Sequence, residues 1–283
     1  MSEAFKDPRW NRYDEKRKYR RLIAWTEDNA QHLPPDYIPS LLAKYGKNLN
    51  MVKAHLYGEF CPLYEGNAYP TYLSKHDIQD LSPDPYIEID LTMDFNANPV
   101  AWVAVQKRRI ITPYALPTFP WVIVHEAAED NSQLDDAVIE FMAKFPVMDF
   151  ADTPINVFGD RSGHAASHKV RGSDYDAVRN LLVWAGYKNV TIRAAKEVAL
   201  ETASVDALCM LFLRDLLFLC SRCKLTKRSL MATTWTQGAR KLHKPAGETW
   251  THHADAAKYW AWQKVKYGEI SFERGKKVLG KNW

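Results

Sequence analysis

Ile87-Glu-Ile-Asp-Leu-Thr-Met-Asp94-Phe-Asn-Ala-Asn-Pro99 sets the reading of this chain. Ile87, Ile89, Leu91 and Met93 alternate with Glu88, Asp90, Thr92 and Asp94, the period-two pattern of a strand. The turn residues Asn96 to Pro99 follow at once, so Asp94 is expected at the end of its strand with its carboxylate at the sheet edge. Val100–Gln106 and Trp121–Ala127 read as the next two strands, Leu134–Phe145 as a helix, and Ile155–Phe158 as a short buried strand. That strand runs into Gly159-Asp160-Arg-Ser-Gly163, which puts a second aspartate at a strand end between glycines that permit close backbone approach. Ser173-Asp-Tyr-Asp176 has capping-box spacing, and the helix that it opens is expected to stop at Gly186. Val190–Ala194 is another strand, and Ala203–Leu213, Thr226–Trp235 and Thr251–Tyr267 read as helices. Three strands followed by alternating helices and strands predict an α/β sheet with helices on both faces.

A third aspartate sits in the first turn of the last helix, in Thr251-His-His-Ala-Asp255. With Thr251 as N-cap, Asp255 takes the fourth helical position, where the helix dipole favours a carboxylate by about 0.5 kcal/mol; a plain helix-start acid has the same explanation. Carboxylates at two strand ends and one helix start can converge, and converging carboxylates suit hard divalent cations. Two such ions would activate a water and stabilise the leaving oxygen of a phosphodiester, which points to a metal-dependent nuclease. Asp90 lies about 13 Å back along the strand from Asp94 at ~3.3 Å per residue, too far to share an ion. Glu126, after the third strand, and His252 are candidates for groups that orient the ligands; for both, a surface position is the simpler account.

The chain has 283 residues, an apolar content of 46% and a net charge of +4, which suits one large domain with or without an extension. Its basic residues are unevenly spread. No acid occurs between Leu216 and Gly247, where Arg222, Lys224, Lys227, Arg228, Arg240, Lys241 and Lys244 lie. The loop after Asp160 adds Arg161, His164, His168, Lys169 and Arg171. Arg161, Lys169, Arg171, Lys227, Arg228 and Lys241 are therefore candidate phosphate contacts, each with a solvated surface as the alternative. Residues 1–80 look like an arm or linker: Arg9–Thr26 is highly charged and reads as a helix, with short helices at Tyr37–Tyr45 and Asn50–Gly58. Residues 81–283 form the candidate catalytic domain. There is no signal-peptide core and no apolar run of membrane-spanning length. Cys220-Ser-Arg-Cys223 is a lone CxxC without two further ligands at zinc-site spacing, so reduced structural thiols are expected.

Taken in order, these segments resemble the nuclease domain of the large terminase subunit of tailed double-stranded-DNA bacteriophages. The resemblance covers roughly residues 22–265. It rests on Leu56-Tyr-Gly-Glu-Phe60 with Ala68-Tyr-Pro70, on Asp94-Phe-Asn-Ala-Asn-Pro-Val-Ala-Trp102, on Gly159-Asp160-Arg-Ser-Gly163 with Ser173-Asp-Tyr175, and on Thr251-His252-His-Ala-Asp255-Ala256. It implies a ribonuclease-H-like fold and two Mg²⁺ or Mn²⁺ ions on Asp94, Asp160 and Asp255. The implied activity is endonucleolytic cutting of concatemeric viral DNA during genome packaging in the host cytoplasm. The implied partners are double-stranded DNA, a terminase ATPase domain or subunit, the small terminase subunit and the portal. Thr26-Glu-Asp-Asn29 and Leu33-Pro-Pro resemble the end of the ATPase domain, but the sequence contains no G-x-x-x-x-G-K-[ST]. An excised nuclease fragment or a split-gene product is therefore expected, without ATPase activity of its own. The alternatives are a Holliday-junction resolvase-like or transposase-type nuclease on the same fold, or a DNA-binding or docking module that has lost catalysis.

Overall fold

The computed structural model describes residues 12–14, 19–21, 25–45, 52, 55–57, 66–95, 100–110, 119–127, 133–165, 172–236, 241–243 and 251–270. The turn at 96–99 and the candidate contacts Lys169 and Arg171 lie outside the described residues. The chain divides into two compact units, Met1–Gly66 with Trp235–Arg240, and Asn67–Thr234 with Lys241–Trp283.

In the first unit Arg12–Asp14 and Tyr19–Arg21 pair as a short antiparallel hairpin, which corrects the expectation of a helix over Arg9–Thr26. That segment has no apolar stripe at helical spacing to bury, and Tyr13 and Tyr19 favour extended backbone. A 3₁₀ stretch at Thr26–His32 and a helix at Tyr37–Tyr45 follow. Thr26 Oγ1 donates to the His55 carbonyl at 2.6 Å, and Trp25 meets Tyr57 edge-on at 5.5 Å.

The second unit is built on a seven-stranded mixed sheet. Its strands are β1 (Asp77–Ile78), β2 (Ile89–Asp94), β3 (Ala101–Lys107), β4 (Trp121–Glu126), β5 (Ile155–Gly159), β6 (Val190–Ile192) and β7 (Leu217–Cys220), in spatial order β1-β7-β4-β3-β2-β5-β6. β2, β3 and β4 form an antiparallel meander. β5 and β6 add in parallel beside β2, and β7 and β1 in parallel beyond β4. Helices α1 (Leu134–Lys144), α2 (Asp174–Ala185), α3 (Glu201–Leu213), α4 (Lys224–Ala232) and α5 (His252–Lys266) complete the fold. α1 and α2 pack on one face, where Trp102 meets Phe141 edge-on at 5.6 Å. α5 lies across β2, β3 and β5 on the other face, flanked by α3 and α4. This is the mixed α/β sheet with helices on both faces expected from the sequence. Among the described residues no helix is long and apolar enough to cross a membrane.

Local chemistry sets the ends of these elements. Ser173 and Asp176 exchange capping bonds at the start of α2, with Ser173 Oγ accepting from Asp176 N at 3.1 Å, and Gly186 ends the helix at φ +110°. α4 starts earlier than its apolar pattern suggests, because Glu126 accepts from Leu225 N at 2.8 Å and Thr226 N at 2.7 Å. A carboxylate on those first amides acts as the cap.

The polar face of β2 is not a solvent face. All six residues from Ile89 to Asp94 are buried, and Asp90, Thr92 and Asp94 each reach α5. Asp94 meets His252, Thr92 Oγ1 donates to the Ala256 carbonyl at 2.7 Å, and Asp90 accepts from Trp260 Nε1 at 2.9 Å. A step of two residues on a strand covers about 6.6 Å, and a step of four on a helix about 6 Å, so the two backbones stay in register over three rungs. Ala254, Ala256, Ala257 and Ala261 are buried, and their small side chains let α5 sit close to its neighbours.

Candidate metal centre

Asp94 and Asp160 are brought to one edge by the pairing of β2 with β5. Met93 stands opposite Gly159, so both aspartates follow directly on adjacent parallel strands. The approach at that point is tight. A Cβ on Gly159 would lie 2.5 Å from the Met93 carbonyl oxygen, and one on Gly163 would lie 2.7 Å from the rings of Phe95 and Tyr175. Two further bonds fix this corner: Gln263 Nε2 donates to the Gly159 carbonyl at 2.8 Å, and Tyr175 Oη donates to the Asp160 carbonyl at 2.8 Å.

α5 supplies the other members. One ligand atom each from Asp94, His252 and Asp255 lies within 4.8 Å of the others. His252 Nδ1 is 2.9 Å from Asp94 Oδ2. His252 is thus in direct contact with the strand-end carboxylate of Asp94. Thr251 precedes the helix as expected, yet its hydroxyl makes no capping bond, and Asp255 is at the fourth helical position with its amide bonded to the Thr251 carbonyl at 3.1 Å. Asp255 Oδ1 is 2.5 Å from Lys258 Nζ, one turn further along.

Asp160 stands beside this trio without belonging to it. Its Oδ2 accepts from Ser162 N at 3.2 Å, while Oδ1 is shielded from solvent and has no hydrogen-bond partner among the described residues. An unpartnered buried carboxylate oxygen costs free energy unless something binds it. The electrostatics agree with convergence. Burial pushes the Asp94 carboxyl above its ordinary value, His252 pulls it back, and repulsion from Asp255 and Asp160 adds to the upward push. Burial first, then the charges of Asp94, Asp255 and Asp160, raise the Tyr259 phenol, and burial with Asp160 and Asp94 raises Tyr175. Both phenols are thus held protonated, and that of Tyr175 donates to the Asp160 carbonyl. The donor set is oxygen-rich with one imidazole, which fits a hard or borderline divalent cation.

The remaining sequence candidates lie in different surroundings. Glu126 caps α4 and is not in the cluster. Asp90 is tied to Lys264 at 2.9 Å, to Trp260 and to Asn156, away from the aspartate edge. Arg161 is exposed next to Asp160 and lines two clefts. One, of about 260 Å³, is bounded by Gly159, Asp160, Tyr259, Trp262 and Gln263; the other, of about 930 Å³, by Ser162, His164, Ser173 and Lys196. Lys227 is engaged with Asp77 at 2.5 Å, Arg228 and Lys241 are exposed, and Arg222, from the same basic run, pairs with Asp80 at 3.4 Å. Cys220 and Cys223 are buried free thiols whose pKa values are raised by burial. Sequence reading missed Lys258, Glu201 and Tyr259. Lys258 carried a usable signal, since three residues after Asp255 on a helix puts both on one face.

No family profile and no curated protein matches this sequence. Solved structures do match in fold. The large terminase of a thermophilic bacteriophage superposes with a TM-score of 0.57 at 19% identity, covering 83% of this chain and 52% of that one. The same terminase in complex with ATP-γ-S gives a TM-score of 0.55 at 17% identity, covering 83% of this chain and 53% of that one. The nuclease domain of the P22 large terminase gives 0.48 at 15% identity over 70% of this chain and 92% of that one. The fold is thus the one found in phage large terminases, and the chain spans about half the length of the thermophilic-phage terminase that it matches.

Proposed function

We propose that this chain is a divalent-metal-dependent DNA endonuclease that cuts concatemeric viral DNA during packaging, as the nuclease part of a large terminase. The observation that carries the reading is the meeting of Asp94 from a central strand with His252 and Asp255 from α5, with the unpartnered Asp160 oxygen alongside. Asp94, shared by both sides, would hold two Mg²⁺ or Mn²⁺ ions together, with Asp255 completing one set and Asp160 the other. Such a pair, when bound, supplies an activated water and neutralises the departing oxygen of a phosphodiester. His252 holds Asp94 in orientation. Tyr259 and Tyr175 stay protonated as hydrogen-bond donors at the rim, and Arg161 is a phosphate contact beside Asp160. Basic side chains that address phosphates give little sequence preference. An ATPase motor, a small terminase subunit and a portal are the partners that this reading implies, acting in the host cytoplasm.

Plasmid DNA incubated with the protein in Mg²⁺ or Mn²⁺ is expected to be nicked and linearised, and to stay intact in EDTA. Robust cutting in EDTA would sink the metal reading, and preference for four-way junctions over linear duplex would favour a resolvase. The basic run gives a separate expectation. Replacing Lys227, Arg228 and Lys241 with Ala weakens binding to unrelated duplexes alike, and flattens the log–log salt dependence by about 0.9 per lost phosphate contact. An unchanged slope would make this stretch a solvated face, with Arg161 and its neighbours as the grip.

A further inference from the structure

Lys258 is a buried cation in direct contact with a proposed metal ligand. Its side chain is 2% exposed and that of Asp255 is 1% exposed, and Nζ lies 2.5 Å from Asp255 Oδ1. Nζ also lies 3.1 Å from Glu201 Oε1, at the start of α3. Glu201 is itself anchored, because its Oε2 accepts from Leu242 N at 3.0 Å. The lysine is therefore held from two helices, with a fixed charge pointed at the carboxylates.

We propose that Lys258 is a placeholder cation: it stabilises the buried carboxylate of Asp255, which clusters with Asp94, when no divalent ion is present, and it weakens the binding of that ion. Three features support this assignment. Lys258 Nζ sits against one oxygen of Asp255, so an ion approaching that oxygen meets a positive charge already in place. Its positive charge repels an incoming dication across a buried, weakly screened distance. Its tether to Glu201 keeps it from swinging aside as an exposed lysine would. A buried carboxylate deprived of its counter-charge destabilises the fold strongly, so the lysine lets the unmetallated protein stay folded and the ion stay exchangeable. Lys258 is in this sense a positioning residue.

This inference rests on the metal reading above, and the test separates the two. Mn²⁺ affinity is measured by calorimetric titration for the wild type, Asp94→Asn, Lys258→Met, Lys258→Gln and Lys258→Arg, and melting temperatures are taken in EDTA and in Mn²⁺. Lys258→Met and Lys258→Gln are expected to bind Mn²⁺ about tenfold more tightly or better, through loss of the repulsion. Both should melt below wild type in EDTA, with the gap closed by Mn²⁺. Lys258→Arg keeps the charge and should stay within about threefold of wild type. A lysine with a merely structural role would not raise metal affinity. Equal or weaker Mn²⁺ binding in both neutral variants overturns the proposal, as does their failure to fold in Mn²⁺, since the ion must be able to replace the lysine. A wild type that binds no Mn²⁺, or binds it equally well with Asp94→Asn, overturns the metal reading and this one with it.

Discussion

Asp94→Asn is expected to lower metal-dependent cleavage by about a thousandfold or more, some 4 kcal/mol of transition-state stabilisation at ~1.4 kcal/mol per decade. The amide keeps the volume and can still accept from His252, but it removes the carboxylate that both proposed ion positions share. The same substitution should not harm the fold. Asp94 is buried, and its carboxyl is pushed up by desolvation and by repulsion from Asp255 and Asp160. Taking that charge away relieves strain that exists only when the residue is ionised. The melting temperature in EDTA should therefore equal or exceed that of wild type, a gain in stability bought with activity. Activity above about a tenth of wild type, or a clear fall in stability, would show that Asp94 is a structural residue instead.

Lys264→Met has the largest expected effect on stability. Lys264 is 1% exposed and Asp90 is fully buried, with 2.9 Å between Nζ and Oδ2. Removing the lysine leaves a carboxylate in the core, for which about 3–5 kcal/mol is typical. That corresponds to a drop of roughly 6–20 °C at ~2–4 °C per kcal/mol for a domain of this size. Adding Asp90→Asn should recover much of the loss, because the amide can keep its bond from Trp260 without a charge. The pH dependence has a definite sign. Burial raises the Asp90 carboxyl above its ordinary value, while Lys264, Trp260 and Asn156 pull it back. Without Lys264 it rises further, and a raised acid contributes stability that is present at low pH and lost as pH climbs. The deficit of Lys264→Met relative to wild type should thus be larger at neutral pH than near the ordinary carboxylate range, about pH 4. A pH-independent deficit would assign the effect to lost packing of the lysine stem.

Much of the sheet could be read from the sequence because its strands are short apolar runs closed by turn residues. Ile89–Asp94, Ile155–Gly159 and the capping box at Ser173 were legible for that reason. The candidate cluster was legible only in part. Period-two alternation in β2 marks a half-buried strand, and nothing local says that its polar side is covered by a helix more than 150 residues away. The contact of His252 with Asp94, the burial of Asp90 against Lys264 and the engagement of Lys258 all follow from that covering. Glu126 illustrates the same limit: an acid at the end of a strand reads as a surface group, but here it meets two amides at the start of a helix that is distant in sequence. The charged segment near the N-terminus misled in the opposite direction, because charge content was taken for helix without an apolar stripe to support it.

The rungs between β2 and α5 work as a gauge with matched spacings. One residue inserted between Asp255 and Trp260 would rotate the rest of the helix by about 100° and would lift Trp260 and Lys264 off Asp90 while His252 and Asp255 stayed in place. One inserted ahead of them on the strand side would shift Asp94 to the opposite face. Neither error can be absorbed locally, since the segment that presents the cluster is the one that closes the core. Length changes tolerated by this protein should therefore fall in its connecting loops, and drift along β2 and α5 should be confined to substitutions that keep the count.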